Sequence, residues 1–236
     1  SRMFTSLVIA LLIPLVVTSF GSAQTEGDQP RGFESKDLHL LQAVGDVQLA
    51  PAGHAVAYSV RKSDRPGRPY SEVWVMDIST GRRVRLGGPE GYASNPRWSP
   101  DGREIAYFGR TEGQRGLVVS RADGSNATFL APVLGTNHPL PSAGEQIAWS
   151  PDGNKIAYVS SMPGPESDEM NGDPRIVRRY LYKPTAAEGA TRFNDNRRVH
   201  IFVFDRLANR NFQLTQGNHY EHSIDWSPVR DEILFI

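Results

Sequence analysis

The densest group of side chains able to do chemistry is His219-Tyr220-Glu221-His222, with His200 upstream. Imidazole and carboxylate are zinc ligands, yet the His-Glu-x-x-His spacing that puts two histidines on one helix face is missing. Loop polarity accounts for the cluster without a metal, and no cofactor is expected. The functional alternative is a loop at the mouth of a binding site, where Glu221 meets a substrate amine. A second polar stretch, Pro163 to Arg197, is acidic first (Glu166, Asp168, Glu169, Asp173) and basic later (Arg175, Arg178, Arg179, Lys183). It reads as a solvated excursion. Its functional alternative is a loop in which Arg178 and Arg179 grip a peptide carboxylate through bidentate hydrogen bonds. Asn126-Ala127-Thr128 is a glycosylation sequon in a surface turn.

Composition narrows the field. The chain has no cysteine, so it has no disulfide framework, thiolate nucleophile or thiolate zinc site. Its 26 basic side chains balance 26 acidic ones, which argues against a nucleic-acid surface built on bulk charge. The 22 glycines and 17 prolines among 236 residues exceed the usual ~12% and point to many turns.

Those turns recur in a pattern. Trp98-Ser99-Pro100-Asp101-Gly102 precedes Glu-Ile-Ala-Tyr-Phe, and Trp149-Ser150-Pro151-Asp152-Gly153 precedes Lys-Ile-Ala-Tyr-Val. Trp226-Ser227-Pro228 leads through Val229-Arg230-Asp231 into Glu-Ile-Leu-Phe-Ile, and Leu49-Ala50-Pro51-Ala52-Gly53 is a degenerate first copy. Ser-Pro-Asp-Gly spells a type I turn, with proline fixing φ at the second position. Asp101 and Asp152 are turn formers on this reading. The turn joins a short strand ending in Trp to an apolar strand, and a third and a fourth strand follow. Four antiparallel strands per ~40–50 residues mark a β-propeller blade. The recurring indole gives each blade an anchor of on the order of 150–250 Å². The only short helical candidate is Ser35 to Val44.

The expected class is therefore all-β: a propeller of four-stranded antiparallel blades, about three and a half of them present. Blades fall at about 45–88, 95–132 and 146–217 (the last with the 163–197 insertion), and a partial blade at 223–236. Residues 1–23 read as a secretory signal and 24–36 as a linker. Leu7 to Val17 is an uncharged run too short to cross ~30 Å of hydrocarbon, and Gly21 and Ala23 suit a cut before Gln24. An uncleaved anchor is the alternative, and the only membrane contact expected. The chain is expected to be exported, to a periplasm or the medium. Closed propellers have about four to eight blades, so this chain is expected to be the N-terminal fragment of a longer polypeptide.

The Trp-Ser-Pro-Asp-Gly-x-x-Ile-Ala-Tyr repeat resembles the propellers of TolB-like proteins and of prolyl oligopeptidase family serine peptidases. Arg175 to Lys183, then Arg198-Val-His-Ile-Phe-Val-Phe-Asp205, Gln213-Leu-Thr-Gln-Gly217 and Trp226-Ser-Pro228, look like the acylaminoacyl-peptidase and dipeptidyl-peptidase branch. That resemblance implies a propeller screening access to a C-terminal α/β-hydrolase domain of the same polypeptide, with peptides as substrates. The nucleophile of such a domain lies in Gly-x-Ser-x-Gly. No serine here has that setting, so no catalytic residue is assigned within this sequence. A non-enzymatic TolB-like module that binds protein partners in the cell envelope is the other reading.

Overall fold

A computed structural model describes residues 32–88, 92–136, 144–163 and 197–236. The signal segment, linker residues 24–31, and Arg178 and Arg179 on the insertion lie outside the described residues.

The unit from Lys36 onward is built of four-stranded antiparallel sheets, each strand pairing with the next in sequence. The first sheet comprises β1 (Ala43–Leu49), β2 (Ala55–Lys62), β3 (Tyr70–Asp77) and β4 (Arg83–Leu86). The second comprises β5 (Ala93–Trp98), β6 (Glu104–Thr111), β7 (Gln114–Arg121) and β8 (Thr128–Pro132). The third comprises β9 (Ile147–Trp149), β10 (Lys155–Pro163), β11 (Arg197–Asp205) and β12 (Arg210–Gln213). A final pair, β13 (Asp225–Trp226) and β14 (Ile233–Leu234), begins another copy. The first strands β1, β5, β9 and β13 touch one another in series, so the sheets converge on their Trp-bearing edges like petals. This is a β-propeller, not closed into a ring. The helical candidate proves to be a 3₁₀ turn at Ser35–Leu40, with strand already begun at Ala43.

Three apolar clusters fill the three spaces between successive sheets. The Ile-Ala-Tyr triplet shows how a period-2 strand buries both faces. Ile105 and Tyr107 pack toward the first blade, with Val73, Val75 and Leu86. Ala106 faces the other way, into the cluster that holds Trp149 of the third blade. Ala57 likewise shares a cluster with Trp98, and Ala157 with Trp226. The small residue leaves room for the indole of the next blade, and large and small side chains interdigitate.

Each indole also makes a polar link. Trp98 Nε1 donates to Gln48 O at 3.1 Å, and Trp149 Nε1 donates to Arg97 O at 3.1 Å. In both, the acceptor is the residue just before the Trp position of the preceding blade. Trp226 Nε1 is buried without an acceptor among the described residues, so the third rung is unmade. Leu49, which replaces Trp in the first copy, is 60% exposed.

The turns form as their residues dictate. Gly102 N donates to Ser99 O and Gly153 N to Ser150 O, both at 2.9 Å, with the glycines at φ 70° and 71°. Ser99 and Ser150 hydroxyls each donate to the turn aspartate (Asp101, Asp152) at 2.6 Å. The serine hydroxyl beside it, with the Asn154 backbone N–H, holds the Asp152 carboxyl down at about 2. The degenerate first copy closes the same way, Gly53 N on Ala50 O at 2.8 Å with φ 72°. After Pro228, Val229-Arg230 replaces Asp-Gly, yet Ser227 N still reaches Glu232 O at 2.9 Å.

The inner strands carry a feature the repeat did not announce. β1 and β5 each contain a bulge, centred on Asp46 (φ 47°) and Asn95 (φ 56°), three residues before the Trp position. Ser223 (φ 55°) stands at the same place before Trp226. Asp and Asn tolerate this left-handed conformation better than most residues, and a bulge re-aims the strand.

Candidate functional site

The blades have two unlike ends. At one lie the Ser-Pro-Asp-Gly turns and the turns between third and fourth strands. At the other lie the connections between second and third strands and the crossovers to the next blade. The 163–197 insertion opens at this second end, and the hairpin below it is intact: Pro163 pairs directly with Arg197.

Third strands β3, β7 and β11 place Glu72, Gly116 and His200 at equivalent positions, each five residues before the strand's end. Glu72 is 1% exposed and fully engaged. Lys62 Nζ lies 2.8 Å and Arg85 Nη1 3.1 Å from its oxygens, and Trp74 Nε1 donates at 3.1 Å. Burial alone would raise this carboxyl's pKa; the hydrogen bonds from Lys62, Trp74 and Arg85 together outweigh it and hold the value below normal. Arg85 Nη2 also donates to Gly88 O at 3.3 Å, tying the buried carboxylate to the crossover into the second blade.

Because the folded value is depressed, this carboxylate stabilises the protein above the unfolded glutamate pKa. The contribution fades as pH falls from there through the native value. Glu72→Gln leaves two cations facing a neutral amide. We expect it to cost about 3 kcal/mol at pH 7, and the difference from the parent to shrink in urea melts at acid pH.

In the third blade the equivalent position carries the predicted cluster. His200 Nδ1 and Glu221 Oε2 are 2.7 Å apart, both buried. Thr215 Oγ1 donates to the same carboxylate oxygen at 3.3 Å and accepts from Ile201 N at 2.9 Å. Glu221 N donates to Val199 O at 2.9 Å. Glu221 is thus turned inward, not toward a mouth: the histidine one strand away offers it a partner that a solvated loop would not. His222 Nδ1 faces Ser223 Oγ at 2.7 Å, and Arg198 Nη1 donates to the Tyr220 hydroxyl at 2.8 Å. Among the described residues, no three His, Asp or Glu side chains are grouped to hold a metal ion. The cluster fastens the crossover toward β13 to the base of the insertion. Sequence spacing located it but could not reveal its inward turn. Glu72 gave no signal at all, since a charge in a strand reads as exposed.

No protein-family model matches the chain. A peptidase of Bacillus subtilis, YuxL, itself uncharacterized, is 29% identical over 164 residues, 68% of this chain and 23% of its own length. Dipeptidyl-peptidase 5 of Porphyromonas endodontalis is 24% identical over 180 residues, 74% of this chain and 26% of its own. Both likenesses are to peptidases, and the fold is a propeller. The crystal structure of Pyrococcus horikoshii acylaminoacyl peptidase superposes with a TM-score of 0.52 at 17% identity, over 75% of this chain and 26% of that one. The chain spans about a quarter of the length of these two curated relatives.

Proposed function

We propose that this chain forms part of the substrate-screening propeller of an exported serine peptidase that hydrolyses short peptides. The α/β-hydrolase domain lies elsewhere in the same polypeptide. The observation that carries this reading is the match of the propeller segment to two peptidases of which it spans only a quarter. In this reading the end bearing the insertion meets the peptide. Arg178 and Arg179 contact its carboxylate, while Glu221, held by His200, orders the crossover toward β13. Chemistry is acyl transfer to a serine outside this sequence, since no serine here sits in the nucleophile turn.

The test is labelling of the full-length polypeptide with a fluorophosphonate probe, alongside hydrolysis of short peptides. We expect one labelled serine outside residues 1–236, and loss of hydrolysis on labelling. An unlabelled, inactive full-length protein would favour the TolB-like reading, a module that binds protein partners.

A further inference from the structure

The second-strand to third-strand end of the first two blades carries a cluster of arginines and tyrosines to which neither the repeat nor the peptidase likeness gives a role. Two guanidiniums flank two neighbouring rings across the seam between the blades. Arg65 Cζ lies 4.5 Å from the Tyr70 ring centroid, Tyr70 lies 5.6 Å from Tyr92, and Arg110 Cζ lies 4.6 Å from Tyr92. Both arginines are exposed, and neither has a carboxylate or carbonyl partner among the described residues. Each guanidinium is held over a ring face, and a planar guanidinium can grip a carboxylate through two parallel bonds. The surrounding segment is basic: with Lys62 engaged by Glu72, Arg61, Arg65 and Arg68 face Asp64, which accepts from the Tyr70 hydroxyl at 2.8 Å.

Beside Arg110 a cleft of about 310 Å³ opens between the two blades, at the small end of the range of ligand sites. Tyr107, Val118 and Phe129 give it apolar lining, and Gly87 and Gly88 of the crossover between the blades line it too. The Glu72–Arg85 pair holds Gly88 through its carbonyl oxygen. Glu112 sits on the rim and repels a carboxylate placed near it. An acidic group is therefore directed toward Arg110 and Arg65 while an apolar neighbour enters the cleft.

We propose that this surface binds an acidic peptide segment, with carboxylates on Arg65 and Arg110 and an adjacent apolar side chain in the cleft. The proposal deepens the peptidase reading by naming a class of peptide, but it concerns binding and not the serine chemistry.

The probe is a fluorescein-labelled Glu-Glu-Leu-Glu-Glu peptide, titrated into the full-length protein and followed by anisotropy. Arg65→Ala with Arg110→Ala is expected to weaken binding tenfold or more, from two lost charge-assisted contacts. Arg110→Lys should weaken it too, because an ammonium lacks the planar fork. Ala127→Leu, which fills the cleft from its exposed side, should weaken the leucine peptide but not its alanine counterpart. All these positions are exposed, so unchanged melting temperatures are expected. Equal binding of Gln-Gln-Leu-Gln-Gln would overturn the proposal. So would an oligothymidylate binding as tightly as the peptide, which would mark a general polyanion surface. Fluorophosphonate labelling is independent of these outcomes, so failure here leaves the serine peptidase reading intact, and the reverse.

Discussion

Replacing Gly116 by alanine is expected to destabilise the protein by about 3 kcal/mol, at the upper end of ordinary overpacking costs. Gly116 lies in β7, opposite Gly109 on one side and Pro132 on the other. A Cβ there would stand 2.2 and 2.4 Å from two ring carbons of Phe129 and 2.5 Å from Ala131 O. The ring can swing aside at the expense of its packing. The carbonyl belongs to the adjoining strand and cannot move without disturbing the β7–β8 ladder. Phe129→Ala in the Gly116→Ala background should therefore recover only part of the loss. Gly109→Ala should cost less, because its new Cβ would meet only side-chain atoms, of Tyr107 at 3.0 Å and Val118 at 3.1 Å. Thermal melts measure all three, and a 3 kcal/mol loss lowers Tm by roughly 6–12 °C in a chain of this size. A Gly116→Ala protein melting with the parent would show that the strand pairing is wrong here.

The second large effect concerns Trp149. Its ring is buried between the second and third blades, and its N–H satisfies Arg97 O. Trp149→Ala is expected to cost about 4 kcal/mol, from the cavity and from a carbonyl left unpaired in the interior. Trp149→Phe keeps most of the apolar surface and loses the bond, so about 1–2 kcal/mol is expected. The same change at Trp226 removes no bond, because that indole has no acceptor among the described residues, and should cost less. Chemical denaturation of the two Phe variants side by side measures the difference.

Much of this architecture is legible in the sequence because its determinants are local. Pro100, Asp101 and Gly102, and their counterparts Pro151, Asp152 and Gly153, specify their turns through φ preference and a serine-aspartate bond spanning two residues. The Ile-Ala-Tyr alternation specifies which side chains face which neighbour. The excess spacing before Trp226 points to an insertion, and the pairing of Pro163 with Arg197 shows a hairpin continuous beneath it.

What escaped the sequence depends on residues far apart in the chain. The acceptors for Trp98 and Trp149 lie 50 and 52 residues away, so the indoles read as apolar anchors and their bonds went unseen. Glu72 is buried because Lys62 and Arg85 arrive from flanking strands, and a lone glutamate in a strand signals nothing of that. Glu221 turns inward because His200 waits 21 residues upstream on β11. The bulges at Asp46 and Asn95 share a position but not a residue type, so no motif marks them.

The petal-like stacking of the blades is tested most directly by hydrogen exchange at the indole N–H groups, resolved by NMR. Trp98 and Trp149, each bonded to a carbonyl of the preceding blade, should exchange far more slowly than Trp226, which has no acceptor among the described residues. If Trp98 and Trp149 exchange as fast as Trp226, the links between blades do not exist, and the stacked arrangement is contradicted.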